Sequence, residues 1–388
     1  MNRLLVTLQF SLGIVLGSVI ACSPTKFNQS VDATQLCDNS VSRCVVEPHS
    51  VDITQEHKVG SGKVDILFVN DNSASMSKNQ VAMASKFAGF IQNLDSKNID
   101  YRIAITTTDL AAVQRDPLVN FSSGRNYLTK NDADRVAEFS DVIVRDETII
   151  CEDYIVSMFN TYGVYFQERS DYRTNYSIKC PSSDTRGIYT ANTVVSNNSD
   201  SFIRSDANLN IILISNDNVR QGNQMENADR ASTFVSMMAE RYPSKYWDFN
   251  SIVVKDETCR QSQSLRNAVG TEVRNAYGPA IQGALGLEYA NLSNSAARDI
   301  ENNPRPRGKI LSICEPNYSN HFNTMATQIS EDARLFTMRC TPSAAPIVTL
   351  ASNGSSVSHT WNGDKILFPR AMAGQQVKIS YRCYTGPT

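Results

Sequence analysis

Residues 64–76 read Val64-Asp65-Ile66-Leu67-Phe68-Val69-Asn70-Asp71-Asn72-Ser73-Ala74-Ser75-Met76. The first six are almost all apolar, as expected of a strand buried on both faces of a parallel sheet. A polar turn follows, with one carboxylate and two hydroxyls in the order Asp-x-Ser-x-Ser. Beyond it, Ser77 precedes Gln80 by three, a capping-box spacing, and Ala84, Phe87, Ile91 and Leu94 recur at helical spacing. The spacing predicts one helix over 78–94 with one buried face. Strand, turn and helix in this order put the turn at the carboxyl end of a strand, where open α/β sheets bind ligands. Carboxylate and hydroxyl oxygens there suit a hard divalent cation. Mg²⁺ in particular keeps its waters and accepts few protein groups.

The same alternation continues outward. Residues 101–105, 209–214, 251–254 and 309–313 read as further buried strands. Helices are expected near 131–139, 152–160, 223–241 and 278–290, and around Phe322, Met325 and Ile329. Strands alternating with helices argue for a mostly parallel central sheet covered on both faces. Residues 110–208 interrupt the pattern and include a polar, Ser/Asn-rich stretch over 181–201. Past residue 339 the character changes to short strands at 348–350, 366–368 and 377–381. Asn353-Gly354 and Asn362-Gly363 mark hairpin turns there. This predicts a small antiparallel β annex, bracketed by Cys340 and Cys383, too small to bury much core without a staple.

The chain has 388 residues, 41% hydrophobic and 20% charged, an ordinary globular balance. Lys+Arg number 37 against 39 Asp+Glu, a net charge of -2 with no basic run, which argues against nucleic-acid binding. The N-terminus has one basic residue, Arg3, then an apolar stretch from Leu4 to Ala21 broken by Thr7, Gln9, Ser11 and Ser18, a secretory layout rather than a spanning helix. It ends Val19-Ile20-Ala21-Cys22, which resembles the bacterial lipobox. That resemblance implies a signal peptide over 1–21, acylation of Cys22 and attachment to the cell envelope. Ser23, in place of Asp, points to the outer rather than the inner membrane. Residues 22–58 read as a polar tether.

Without Cys22, eight of the nine cysteines remain, an even set as expected of disulfides in an exported chain. Local spacing suggests Cys37 with Cys44 and Cys151 with Cys180. Cys259 with Cys314 and Cys340 with Cys383 is one way to pair the rest, out of about 105 connectivities overall. No C-x-x-C is present, so zinc and thioredoxin-type readings are weak.

The stretch VDILFVNDNSASM resembles the von Willebrand factor A domain, a Rossmann-like α/β fold. YRIAITTTD (101–109), FIRSDANLNIILISND (202–217) and GKILSICEPNYSNHF (308–322) extend the resemblance over about residues 60–388, with a divergent middle. It implies such a domain over 59–338, with an insertion at about 110–208, and the annex over 339–388. It also implies a metal-ion-dependent adhesion site for Mg²⁺ or Mn²⁺, with one position left for a partner's carboxylate. Residue by residue, Asp71, Ser73 and Ser75 match the first loop. Thr161, in Asn160-Thr161-Tyr162-Gly163, is the match for the second. At the third loop the family's Asp is replaced by Asn216, with Asp217 next. An amide oxygen carries no charge, so Asn216 weakens the expected site. Asp109 is a candidate supporting carboxylate.

Enzyme signatures are missing: there is no G-x-S-x-G, H-E-x-x-H, P-loop or G-x-G-x-x-G. His49 and His57 fall in the tether, His321 reads as a helix-surface residue and His359 as a hairpin residue. Trp247 and Trp361 read as packing residues. The expected function is therefore binding without catalysis: an envelope lipoprotein that holds a protein or surface polymer through a cation. The alternative is a metal-free docking or assembly module of the envelope.

Overall fold

The apolar runs come together as a six-stranded sheet in a mixed α/β structure. The computed structural model describes residues 36–37, 41–47, 49–60, 62–181, 184–219, 225–243, 245–263, 284–298, 304–372 and 374–385. The expected signal segment, Cys22, most of residues 22–42 and the first part of the helix expected at 278–290 lie outside them.

In chain order the strands are β1 (Arg43–Glu47), β2 (Ser50–Lys58), β3 (Lys63–Asn70), β4 (Asp100–Thr107), β5 (Leu128–Thr129), β6 (Asn208–Ser215), β7 (Trp247–Val253), β8 (Ala296–Arg298), β9 (Pro304–Pro306), β10 (Ile310–Ser312), β11 (Leu335–Thr337), β12 (Ile347–Leu350), β13 (Thr360–Asn362), β14 (Lys365–Leu367) and β15 (Gln376–Tyr384). The helices are α1 (Ser77–Ala84), α2 (Phe87–Ser96), α3 (Leu110–Arg115), α4 (Arg135–Ile143), α5 (Asp146–Tyr162), α6 (Ser170–Lys179), α7 (Gly187–Asn197), α8 (Ala231–Arg241), α9 (Glu257–Ser262), α10 (Leu287–Asn294) and α11 (Tyr318–Asp332). Among the described residues no helix is long and apolar enough to cross a membrane.

The large sheet has the order β10-β7-β6-β3-β4-β5 and is parallel except at β5, which turns back on β4. Its strands are apolar on both faces because both faces are covered. Ile66 and Phe68 of β3 and Ile103 and Ile105 of β4 pack with α1, α2, α4 and α11. Leu67, Val69, Leu209, Ile211 and Leu213 face the other way, onto α7, α8 and α10. Asp65 is the exception inside β3. It is fully buried, and Arg204 answers it twice, from its backbone N–H at 2.7 Å and its Nε at 2.8 Å.

Three local expectations change. The helix expected over 78–94 is two helices, α1 and α2, because the chain tightens at Ser85, whose hydroxyl bonds back to the Ala82 carbonyl at 2.8 Å. The polar stretch 181–201 contains α7, whose Ile188, Ala191, Val194 and Val195 are all buried. Their 3-and-4 spacing is helical, masked by the Ser and Asn residues around it. His321 is buried rather than on a helix surface, and its Nε2 hydrogen-bonds the Ser312 carbonyl at 2.7 Å.

The tether is the largest correction. Residues 43–58 form β1 and β2, and β2 pairs with β15 antiparallel along its whole length, from Ser50 opposite Tyr384 to Lys58 opposite Gln376. The annex is thus built from both ends of the chain. A four-stranded sheet, β1-β2-β15-β12, faces a three-stranded one, β11-β14-β13, over a core that includes Val51, Ile53, Ile366, Phe368, Val377 and Ile379. Val51, Ile53 and Gln55 alternate inward along β2, a period-two pattern with too few apolar residues to stand out among polar neighbours. Trp361 is more than one-third exposed on β13, whereas Trp247 is buried as expected. The four disulfides join the expected partners: Cys37–Cys44, Cys151–Cys180, Cys259–Cys314 and Cys340–Cys383.

His57 sits inside this β unit, its ring 4.9 Å from that of Phe336 and 5.9 Å from that of Phe368. Burial pushes its imidazole down from 6.5 to about 4. The unfolded chain therefore binds the proton first, so stability is complete above pH 6.5 and falls as pH drops from 6.5 towards 4. His57→Phe should flatten this acid arm of the melting curve. An unchanged slope would show that another group drives it.

Candidate metal centre

The Asp-x-Ser-x-Ser turn is fixed from three directions. Asp71 extends the β3 ladder by one bond, its N–H donating to the Ile214 carbonyl at 3.0 Å. This brings the turn against the end of β6, where Ser215, Asn216 and Asp217 follow one another. The fully buried Asp71 carboxylate accepts the Ser73 N–H at 2.9 Å on one oxygen and the Ser215 hydroxyl at 2.5 Å on the other. The Ser215 hydroxyl also accepts the Asp217 N–H at 3.0 Å. Ser73 and Ser75 bring their hydroxyls to 3.4 Å of each other, and Ser75 donates to the Asn216 side-chain oxygen at 3.1 Å. The buried Asn216 amide nitrogen has no hydrogen-bond partner among the described residues.

The electrostatics show what this arrangement lacks. Burial pushes the Asp71 carboxyl up, opposed by the hydroxyls of Ser215 and Thr108 and by Ser73. Asp217 is pushed up to about 7, first by burial and then by the Asp71 charge. Among the described residues no Lys, Arg or His pairs with either carboxylate. Two neighbouring carboxylates without a cation repel each other and resist ionisation.

The donor set fits a hard cation. It offers two carboxylates, two hydroxyls and an amide oxygen, with no His or Cys among them. Among the described residues no group of three or more His, Cys, Asp or Glu is placed to hold a metal ion. Asp71, Ser73, Ser75 and Asn216 are joined by hydrogen bonds, and the Asp217 carboxyl feels the Asp71 charge.

One expected residue is not at the turn. Thr161 lies on the last turn of α5, exposed, with its hydroxyl donating to the Ser157 carbonyl at 2.8 Å. Thr148 of the same helix touches the turn, and the separation of 13 positions between the two threonines spans about 20 Å of helix. The Thr-x-Gly signal marks the end of α5 instead, where Gly163 takes φ 66°. Asp109 caps α3, accepting the Ala111 N–H at 2.9 Å.

Residues outside the motif hold the turn in place. The expected capping box does not form. Ser77 gives its hydroxyl to Glu152 at 2.5 Å, and the Gln80 amide donates to the Asp71 carbonyl at 2.9 Å and to the Thr148 hydroxyl at 3.2 Å. Thr148 donates to the Asn72 carbonyl at 2.8 Å, and the Asn72 amide donates to Glu147 at 3.1 Å. Ala74, between the two serines, packs on Cys151 and Val156, with Tyr176 of α6 alongside. The long-range partners on α5 carried no sequence signal. Ser215 and Thr108 did carry one, as the polar residues that end two apolar strands.

No family model and no curated protein matches the sequence. Among solved structures, the pilus adhesin SpaC from Lactobacillus rhamnosus GG in its open conformation is 8% identical with TM-score 0.34, over 87% of this chain and 41% of that one. Proximal thread matrix protein 1 from the mussel byssus is 9% identical with TM-score 0.31, over 72% of this chain and 48% of that one. The chain spans less than half the length of either, and likeness at this level carries no functional argument.

Gln80 bonds the turn to α5 with both ends of its amide, since its oxygen also accepts the Arg145 N–H at 3.0 Å. Gln80→Leu should therefore leave buried groups unsatisfied and lower stability by about 2–3 kcal/mol in denaturant titration. A loss within experimental error would mean that water replaces the amide.

Proposed function

We propose that this chain is an exported, lipid-anchored envelope protein. Its α/β domain, of the von Willebrand factor A type, binds a partner through a divalent cation. Asp71, Ser73 and Ser75 would hold the ion from one strand end, and Asp217, with the Asn216 oxygen, from the next. The cation supplies an open coordination position for a carboxylate offered by a protein or surface polymer. The chain's own residues orient the ion and neutralise none of its partner's charge. The role is one of binding, without catalysis.

The observation that supports this reading is the buried Asp71 carboxylate beside the partly buried Asp217, with no cationic partner among the described residues, next to two convergent hydroxyls at the carboxyl ends of β3 and β6. Four disulfides agree with an extracytoplasmic compartment. Attachment through Cys22 and the outer membrane rest on the sequence alone. A second reading, metal-free docking by a rigid surface, draws on Asn216, whose side-chain oxygen accepts a hydrogen bond from Ser75 without any ion.

Mg²⁺ or Mn²⁺ well above its dissociation constant should raise the melting temperature by a few degrees, because only the folded chain assembles the site. Asp71→Ala should abolish the rise. Asp217→Asn should also abolish it while stabilising the metal-free protein, since it removes the repulsion. A melting temperature indifferent to both cations, with Asp71→Ala behaving as wild type, would reject the metal reading. Partner capture that survives EDTA would favour metal-free docking.

A further inference from the structure

The four-stranded sheet of the β unit has two edges, and the chain closes only one of them. At the β12 edge it folds back on itself. There the Leu350 N–H donates to the Ser355 carbonyl at 2.8 Å, and the Val357 N–H to the Val348 carbonyl at 2.9 Å. The other edge is β1, Arg43–Glu47. Its five residues pair with β2 in unbroken register, from Arg43 opposite Thr54 to Glu47 opposite Ser50, without a bulge. Among the described residues no backbone group bonds to its outer side.

An open edge invites pairing with another chain, and proteins ordinarily blunt it with a proline, a bulge or an inward-pointing charge. Within β1 none of these is present. Its core-facing residues are Cys44 and Val46, in line with Ile53 and Val51 of β2. Cys44 is bridged to Cys37, next to the buried Leu36, whereas Val46 is 61% exposed. Val45, on the opposite face, is 36% exposed. On that same face lie the two charges of the strand, Arg43 and Glu47, one at each end. Neither is in a salt bridge among the described residues. Arg43 feels Asp52 and Glu47 feels Arg382, but Asp52 and Arg382 are already joined to each other at 2.6 Å.

We propose that β1 is a dimerisation edge, on which a second copy of this chain pairs its own β1 antiparallel about a two-fold axis through Val45. The strand is complementary to itself in this register. Arg43 of each copy lies opposite Glu47 of the other, Val45 meets its own copy, and Val46 meets the Cys37–Cys44 bridge across the seam. Opposite charges and β-branched residues are the cross-strand pairs that stabilise sheets. A slip of one residue either way loses both charge pairs, setting Arg43 against Pro48 or Glu47 against Ser42. Two four-stranded sheets become one continuous sheet, and the symmetric contact uses up both open β1 edges, so assembly stops at two. Five residues a side make a small contact, of the weak and transient class, with a dissociation constant expected in the micromolar range. The inference does not depend on a cation at Asp71.

The test is sedimentation equilibrium at physiological salt on the chain from residue 23 onward, which keeps every described residue and omits the apolar leader and Cys22. This chain should dimerise as its concentration rises through the micromolar range. Arg43→Glu and Glu47→Arg each set like charges opposite one another at both pairs, and each should weaken dimerisation at least about tenfold. Both side chains are exposed, so the melting temperature of the dilute chain should not change. An equimolar mixture of the two variants should associate, and the double variant Arg43→Glu/Glu47→Arg should recover the dimer, which damage to the fold would not allow. Asp71→Ala should dimerise as wild type, so loss of the cation reading leaves this one standing. A chain that stays monomeric to millimolar concentration, a dimer that the single variants leave unaltered, or a double variant without recovery overturns the proposal.

Discussion

The burial of Asp71 at the end of β3 is the constraint around which the rest of the domain is arranged. A carboxylate at the end of a fully covered strand has lost its water, and only local donors can replace it. Ser73 and Ser215 do so from opposite sides, one from the turn and one from the neighbouring strand. Asp217 adds a second charge without adding a cation. Two carboxylates this close carry a local electrostatic cost. Such local cost is what a binding site is expected to carry, since a fully satisfied site would have no need of a ligand.

That cost is carried by the helix α5, which forms no part of the central sheet. Thr148, Glu147 and Glu152 take hydrogen bonds from or give them to Asn72, Ser77 and Gln80, and Cys151 packs directly behind Ala74. The Cys151–Cys180 bridge ties this helix to α6. Side chains on two helices thereby stop the turn from relaxing away from the repelling carboxylates.

The β unit solves a separate problem. Two small sheets of short strands bury little surface, and the unit draws on both chain ends to reach a working core. The nine-residue pairing of β2 with β15 closes it, and Cys37–Cys44 and Cys340–Cys383 staple its two sides. Because β2 leads directly into β3, the unit is fastened to the start of the central strand. Residues from Arg43 onward are therefore structural, and Leu36 and Cys37 before them are also held by this unit's core.

The central sheet was legible in the sequence because buried parallel strands are written as unbroken apolar runs, and 64–69 and 209–214 contain almost nothing else. The first loop was legible for the same reason, as a polar turn bounded by such a run and a helical period. The cysteine pairing followed from local spacing at two bridges. Three things escaped. β2 hides two inward apolar residues among polar ones, and its partner lies more than three hundred residues away. Thr161 looked like a ligand because a threonine before a glycine ends a helix and begins a loop with the same letters. Ser77 and Gln80 had the spacing of a capping box, yet buried acceptors on α5 and the Asp71 carbonyl claimed their side chains. Local pattern alone determined the strands, the turn and the chemistry offered there. Only the tertiary structure decided which distant groups satisfy that chemistry, because a buried polar atom takes whichever partner the packing brings within hydrogen-bonding distance.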